Sequence, residues 1–380
     1  MFIAGTGLPT AGLGFPEPDG QPLRLPSAVV IPDWNPPVDL DLPLLGETES
    51  AAILDGIERS LGGELPGTRI LRSFLEEGTS EASIVSTRGV DAHFRRRAAT
   101  LFVEAVGPWT GSSSYQLSLA ERDPRRFQPE AIARRLANRL LMVRGDGAPT
   151  AERGEMLLSS AVAARVLASL LPILMRPEGA EWARQARNRR RRMGSRHLTV
   201  IDDGRLQGGV LDSPVDGEGR PTGPRVLVEE GAFREGLVDW RQGGSSTIPP
   251  PGCIRRESWR DLPRVGPSHL YIQPRPDVGV GDLLGSISRG HYLVEPLGPG
   301  RFDFEQDRFS LPVCGFTLRQ GAATTPVARA WLEGGIRALL DGIQGVARDL
   351  SFEPLGAMIG APTLLVKGVG LRGAELTGKD

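Results

Sequence analysis

Four histidines and two cysteines hold most of the chain's capacity for metal or nucleophilic chemistry: His93, His197, His269, His291, Cys253 and Cys314. No histidine precedes a glutamate, none pairs with another at i+4, and none lies in 94–196. A helical zinc-protease motif, which needs two imidazoles on one helix face beside a glutamate, is therefore absent. Cys253, His269, His291 and Cys314 share one half of the chain and could assemble a site, though no ligand-pair spacing recommends it. Cys314 sits inside an apolar run, where a thiol is expected to behave as a small buried hydrophobe. Asp202, Asp203, Asp212, Asp216 and Glu218 could offer oxygen ligands to calcium. The Asp-Gly and Glu-Gly pairs at 203–204, 216–217 and 218–219 are also ordinary turn chemistry, which is the expectation here. Ser245, Ser246 and Thr247 lie in a Gly-rich loop with no G-x-S-x-G elbow to expose a nucleophile. Gly368 to Gly373 satisfies G-x-G-x-x-G after a strand signal, but only seven residues follow it, too few for a dinucleotide-binding helix. No Walker A sequence occurs.

The elements that must position these residues belong to a chain of 380 residues, long enough for two or three domains and for a core without metal or disulfide staples. With 49 glycines and 32 prolines the chain is turn-rich, yet short of low complexity. A net charge of −1 provides no overall field for nucleic acid or an anionic membrane. Lys367 and Lys379 are the two lysines, so the basic residues are almost all arginine. The cysteines lie far apart with no CxxC, which argues against a disulfide framework or zinc ribbon and fits a reducing compartment. The first residues lack a basic n-region, so no secretory signal is expected. The longest strongly apolar stretch, Val166 to Met175, contains Pro172 and is about half a membrane span. The expected location is cytoplasmic.

Residues 1–45 read as a Pro/Gly-rich arm draped over another surface. From Thr48, a plausible N-cap, Ile53, Leu54, Ile57 and Leu61 recur at helical spacing, with Gly62–Gly63 as the stop. Four runs over 68–119 read as strands, and a helix after Pro129 carries Ile132, Leu136, Leu140 and Val143 on one stripe. This predicts an α+β module over 46–150. Glu155 to Leu171 reads as a helix buried on nearly every side. Arg184 to Arg192 is a basic run, expected to be a solvated helix end or loop, with an RNA or acidic-partner patch as the other reading. From His197 strand signals dominate, interrupted by a helix carrying Val327, Trp331, Gly335 and Leu339. The expected fold class is α+β: an α+β middle module, then a β-rich C-terminal domain with few helices over 151–380.

The order of segments after residue 196 resembles the TldD/TldE (PmbA) family. It runs from HLTVIDD at 197–203 through VDGEGRPTGPRVLVEEGAFREGLVDW at 215–240 and CIRRESWRDLPRVGPSHLYI at 253–272. It continues with DLLGSISRGHYLVEPLG at 282–298, the segment 308–350, and APTLLVKGVGLRG at 361–373. In that family a TldD-type subunit resembles a zinc peptidase, with HExxxH on a buried helix and a further Cys, and pairs with a TldE-type subunit that lacks the ligands. The corresponding helix here spans Ala161 to Leu174. Ala168-Ser169 stand where His-Glu would, and Ile173 where the last His would. The family's Gly-Cys-Gly segment is replaced by FEPLGAMIGAP at 352–362, and His269 stands in the family's Asn position.

The resemblance implies a metal-free TldE-like subunit with no catalytic residue and no cofactor of its own, zinc being expected in the partner. The implied partner is a TldD-type HExxxH subunit in an obligate heterodimer, acting on a peptide or peptide-like substrate, without nucleic acid or membrane. Divergence from the family pattern suggests peptide or natural-product maturation, and a pair cleaving a non-peptide bond is an alternative. Arg255, Arg256, Glu257, His269 and His291 are the expected cleft-facing residues; Arg forks suit carboxylates and peptide carbonyls. Two other classes stay open: a chain active alone through Cys253, His269, His291 and Cys314, and a stand-alone binding protein for a peptide or carrier-bound substrate.

Overall fold

The fold is a computed structural model that describes residues 38–109, 114–143, 152–175, 192–238, 252–256, 260 and 262–373. Helix α1 (Glu47–Glu64) begins one residue before Thr48, because the Glu49 carboxylate reaches back to accept the Gly46 N–H at 2.9 Å. It runs through Gly62 and Gly63 and ends at Leu65, whose N–H donates to the Leu61 carbonyl. The four expected strand runs form three strands: β1 (Arg69–Val85), β2 (Asp91–Val106) and β3 (Ser114–Glu121). Gly78 does not break β1, since its backbone stays in register opposite Ala98; the turn falls instead at Ser86–Val90, where Gly89 takes φ 89°. In β2, alternation puts Ala99, Leu101, Val103 and Ala105 on one face. That face packs on Ile57 and Leu61 of α1 and on Ile132, Leu136 and Leu140 of α2 (Pro129–Met142). The sheet is ordered β1-β2-β3, so β3 is an edge.

Of the N-terminal arm, residues 38–45 fall within the described residues. Arg97, fully buried on β2, donates to the carbonyls of Leu42 and Pro43 at 3.0 Å each and pairs with Glu77. Glu77 in turn accepts the Leu45 N–H at 2.8 Å. One buried ion pair thus ties the proline-rich segment to the sheet, and the proline, which has no N–H, contributes its acceptor.

The C-terminal half opens with β4 (Glu152–Arg153) and β5 (Glu155–Leu158), then α3 (Ser160–Ser169) and α4 (Leu171–Met175). Glu155–Leu158 is strand rather than the start of the expected helix. Its run Met156-Leu157-Leu158 is buried on both faces between parallel β12 and antiparallel β19, and such a strand reads as continuously apolar. Ser159 then caps α3, its Oγ accepting the Val162 N–H. Next come β6 (Val200–Asp203), β7 (Pro224–Glu229), β8 (Ala232–Phe233), β9 (Ile254–Arg255), β10 (Arg264–Val265) and β11 (His269–Ile272). Helix α5 (Val280–Gly285) leads to β12 (Arg289–Pro296), β13 (Arg301–Asp303), β14 (Arg308–Arg319) and β15 (Ala322–Gly334). Helix α6 (Ile336–Asp341) precedes β16 (Ile343–Val346), β17 (Ser351–Pro354), β18 (Met358–Ala361), β19 (Leu364–Val366) and β20 (Gly370–Gly373). The helix expected around Val327 and Trp331 is the second half of β15, paired with β14; only Ile336–Asp341 is helical. A spacing of four satisfies a period of two as well as one of 3.6, and the pairing decides.

Two sheets enclose α3. One is six-stranded, ordered β17-β18-β11-β6-β7-β8; the other is nine-stranded, with β5, β12, β14 and β15 adjacent in that order. α3 packs on β17 and β18 of the first and on β5 and β12 of the second. Its Val162, Ala163, Ala164 and Leu167 are fully buried there. The class is therefore α+β, with few helices and a β-rich C-terminal half. No helix among the described residues is long and apolar enough to cross a membrane. Of the basic run, Arg192 alone is described, bridged to Ala232.

Removing Arg97 strands Glu77 in the core. Arg97→Met is expected to cost about 3–5 kcal/mol in urea denaturation, with most of it recovered in Arg97→Met/Glu77→Met. A single-variant cost under about 1 kcal/mol would show that the pair does not anchor the arm.

Candidate functional site

Helix α2 carries two arginines one turn apart, Arg135 and Arg139, on the side that meets the C-terminal sheets. Arg139 forms an ion pair with Glu295 of β12, with 3% and 6% of these residues exposed. Arg135 donates to Glu353 of β17 at 2.5 Å and lies 4.0 Å from Glu295. The Arg139 guanidinium also stacks over Tyr115 of β3, 4.5 Å from the ring centre. Above this network opens a cleft of about 850 Å³. Edge strand β3 and α2 form one wall; α3, β15, β17 and the β12–β14 connection form the other. A second cavity, of about 510 Å³, continues along the junction of β3 and β17 toward the loop at 206–210.

Burial pushes the Glu295 carboxyl up, against the pull of Arg139 and Arg135. The Cys314 thiol, opposite Glu295 in the ladder, is pushed up to about 12 by burial and by that carboxylate. A thiol so held stays protonated and is no nucleophile at neutral pH. The Arg165 guanidinium, projecting from α3 into the cleft, is pushed down by burial while Glu353 draws it back up.

The residues expected to face the cleft do not converge on it. His269 is buried, donates from Nδ1 to the Asp203 carbonyl at 2.9 Å and accepts the Leu211 N–H on Nε2 at 3.1 Å. Burial lowers it to about 4, so both ring nitrogens are committed in the neutral form. It borders the second cavity as a packed wall. His291 is buried in β12, between Met156 of β5 and Thr317 of β14. Arg255, half-buried and near Asp202, donates to Ser268 Oγ at 2.9 Å. Arg256 is held on the Gly217 carbonyl at 2.9 Å. Glu257 lies outside the described residues, as do Ser245, Ser246 and Thr247.

Cys253 is buried, its Sγ donates to the Val238 carbonyl at 3.3 Å, and its thiol is pushed up to about 12 by burial. Among the described residues no three His, Cys, Asp or Glu side chains gather as a metal site, so Cys253, His269, His291 and Cys314 form no cluster. The acidic group serves turns. Asp216 accepts the N–H groups of Glu218, Arg220 and Ile254, and Asp203 accepts that of Arg205. Asp202 accepts the Ser268 N–H at 2.8 Å; burial raises its carboxyl to about 6, with Arg255 and Arg225 pulling the other way.

At the positions aligned with HExxxH, Ala168 and Ser169 are half-buried at the end of α3, and Ile173 is packed in the core from α4. The Ser169 hydroxyl donates to the Arg165 carbonyl at 2.9 Å. Ala161, Arg165, Ala168 and Ser169 lie along one helix face, on which Ala161 and Arg165 border the cleft and Ala168 packs against the core. Sequence alone does not single out the charged residues that line the cleft, Arg139, Arg165, Glu295, Arg329 and Glu353. One signal was available: Arg139 adjoins the apolar stripe of α2, and an arginine buried there requires a carboxylate partner.

The profile described as PmbA/TldA metallopeptidase C-terminal domain matches residues 153–373, and the chain belongs to this family, that of TldD and TldE. It is similar to the crystal structure of TldE from Thermococcus kodakarensis, with a TM-score of 0.80 and 18% identity, over 92% of this chain and 80% of that one. It is 24% identical over 164 residues to the metalloprotease TldD homolog of Buchnera aphidicola subsp. Acyrthosiphon pisum, covering 43% of this chain and 34% of that protein. It is 23% identical over 171 residues to the zinc metalloprotease TldD homolog of Saccharolobus solfataricus, covering 43% and 37%. The chain thus spans little more than a third of the length of these two relatives.

Asp202 provides a test of the electrostatics. Its folded-state affinity for a proton exceeds that of the unfolded chain, so its contribution to stability falls as pH rises from about 4 to about 6. Asp202→Asn is expected to gain on the wild type by about 2–3 kcal/mol across that interval, measured by urea denaturation at each pH. A wild type that gains on the variant instead would mean that Arg255 and Arg225 outweigh burial.

Proposed function

We propose that this chain is the metal-free subunit of a two-subunit metallopeptidase of the TldD/TldE kind, with the 850 Å³ cleft as its peptide-facing surface. The observation that carries the reading is the chemistry of the three positions on α3 and α4. A zinc site needs imidazole, thiolate or carboxylate donors. Ala168 offers a methyl group, Ser169 a hydroxyl already donated to Arg165, and Ile173 a side chain sealed in the core. These residues do not fit the ion. Zinc and the water it activates belong to the partner, and this chain contributes shape, charge and an interface.

The likeness to TldE supports the same reading at the level of fold. So does the cleft itself, which combines a sheet edge, two aromatic side chains and paired charges, a surface suited to an extended peptide-like chain. An obligate pair is expected to bury more than about 2,000 Å².

Affinity purification of the full chain from its own cells tests the reading. The expected result is a protein carrying HExxxH, recovered in equal amount, with peptide hydrolysis by the pair and none by this chain alone. Recovery of the chain alone or as a homo-oligomer, or hydrolysis by the isolated chain, would overturn it.

A further inference from the structure

Arg165 enters the cleft with its charge uncommitted. The other faces of α3 are closed: Val162, Ala163, Ala164, Val166 and Leu167 are all buried. The face bearing Arg165 is the one that opens into the cleft. Among the described residues its guanidinium makes no hydrogen bond or ion pair, and its Nε is buried without an acceptor. The neighbouring charges are already matched, Arg139 by Glu295 and Arg135 by Glu353. Glu353 is near enough to influence Arg165 but is engaged by Arg135.

A half-buried guanidinium has lost part of its hydration, and without an acceptor that loss is not offset. Its five donors form a rigid fork that matches a carboxylate in two parallel hydrogen bonds. Tyr115 and Trp331 also line the cleft, giving apolar surface for the remainder of a ligand. We propose that the cleft is a carboxylate-binding site in which Arg165 receives a peptide's C-terminal carboxylate or an acidic side chain. The inference rests on the peptide reading above for the nature of the ligand, and adds the group that is recognised. Arg165 lies one turn before Ala168 and Ser169 on the same face of α3.

The test is a fluorescence-anisotropy titration of the full chain, with its partner where one co-purifies, using three N-terminally labelled probes. They are a hexapeptide of alanine and leucine with a free C-terminus, its C-terminal amide, and that amide with one internal glutamate. At least one carboxylate-bearing probe is expected to bind about tenfold tighter than the neutral amide. Arg165→Gln is expected to abolish that preference; Arg165→Lys, which keeps charge without the fork, retains part of it. Preference for the free terminus alone assigns the site to a C-terminus, and preference for both assigns it to carboxylates generally. Equal binding of all three probes by the wild type overturns the inference and leaves the peptide reading standing, as does a preference that survives Arg165→Gln. Failure to bind any probe overturns both. The wild-type comparison holds even if a variant fails to fold.

Discussion

The buried ion pair between Arg139 and Glu295 fixes how the two halves of the molecule meet. Two charges removed from water are costly unless each finds the other, and losing one partner is costlier than losing both. Arg139 comes from the amphipathic helix of the N-terminal module, and Glu295 from the strand beside the central helix. Arg135 and Glu353 repeat the link one turn away. Such pairs specify geometry more than they add stability. Their effect here is to hold edge strand β3 beside β17, so that the cleft has a fixed floor and two walls. Glu295 shows the cost, its carboxyl raised by burial despite two nearby guanidiniums.

Above that floor the central helix decides the chemistry. Enclosed between two sheets, α3 carries Ala161, Arg165, Ala168 and Ser169 along one face, with Ala161 and Arg165 bordering the cleft. A helix placed this way could hold a metal if it carried imidazoles. Here it carries a methyl group, a hydroxyl and one guanidinium, while Ile173 turns into the core. Function resides in the site and not the fold, so the side chains along this helix, not the scaffold, decide what it can do. The histidines fit that division. His269 has both nitrogens satisfied by backbone groups and is kept neutral by burial, which makes it a structural residue.

Local patterns were legible in the sequence wherever one face of an element meets one core. The stripes Ile57–Leu61 and Ile132–Leu136–Leu140, and the alternation from Ala99 to Ala105, each point to a single buried face and a single period. Legibility failed where burial is two-sided or where the spacing fits both periods. Met156–Leu158 is apolar throughout because both faces of its strand are buried, and Val327–Trp331 obeys helix and strand spacing alike, so tertiary pairing decides both. The acidic turns were legible because Asp-Gly chemistry is local. The cleft was not. Arg135 and Glu353 are separated by 218 positions, and no short-range pattern in either segment shows that the other exists. The family resemblance, not any local pattern, singles out the helix that carries Ala168 and Ser169.

Metal stoichiometry is the most direct measure of the central claim. Native mass spectrometry of the purified pair, before and after gentle dissociation, counts zinc on each subunit. One zinc per pair, remaining with the HExxxH subunit and leaving this chain at its apo mass, is the predicted result. Zinc retained by this chain would contradict the account, because Ala168, Ser169 and Ile173 offer it no donor set.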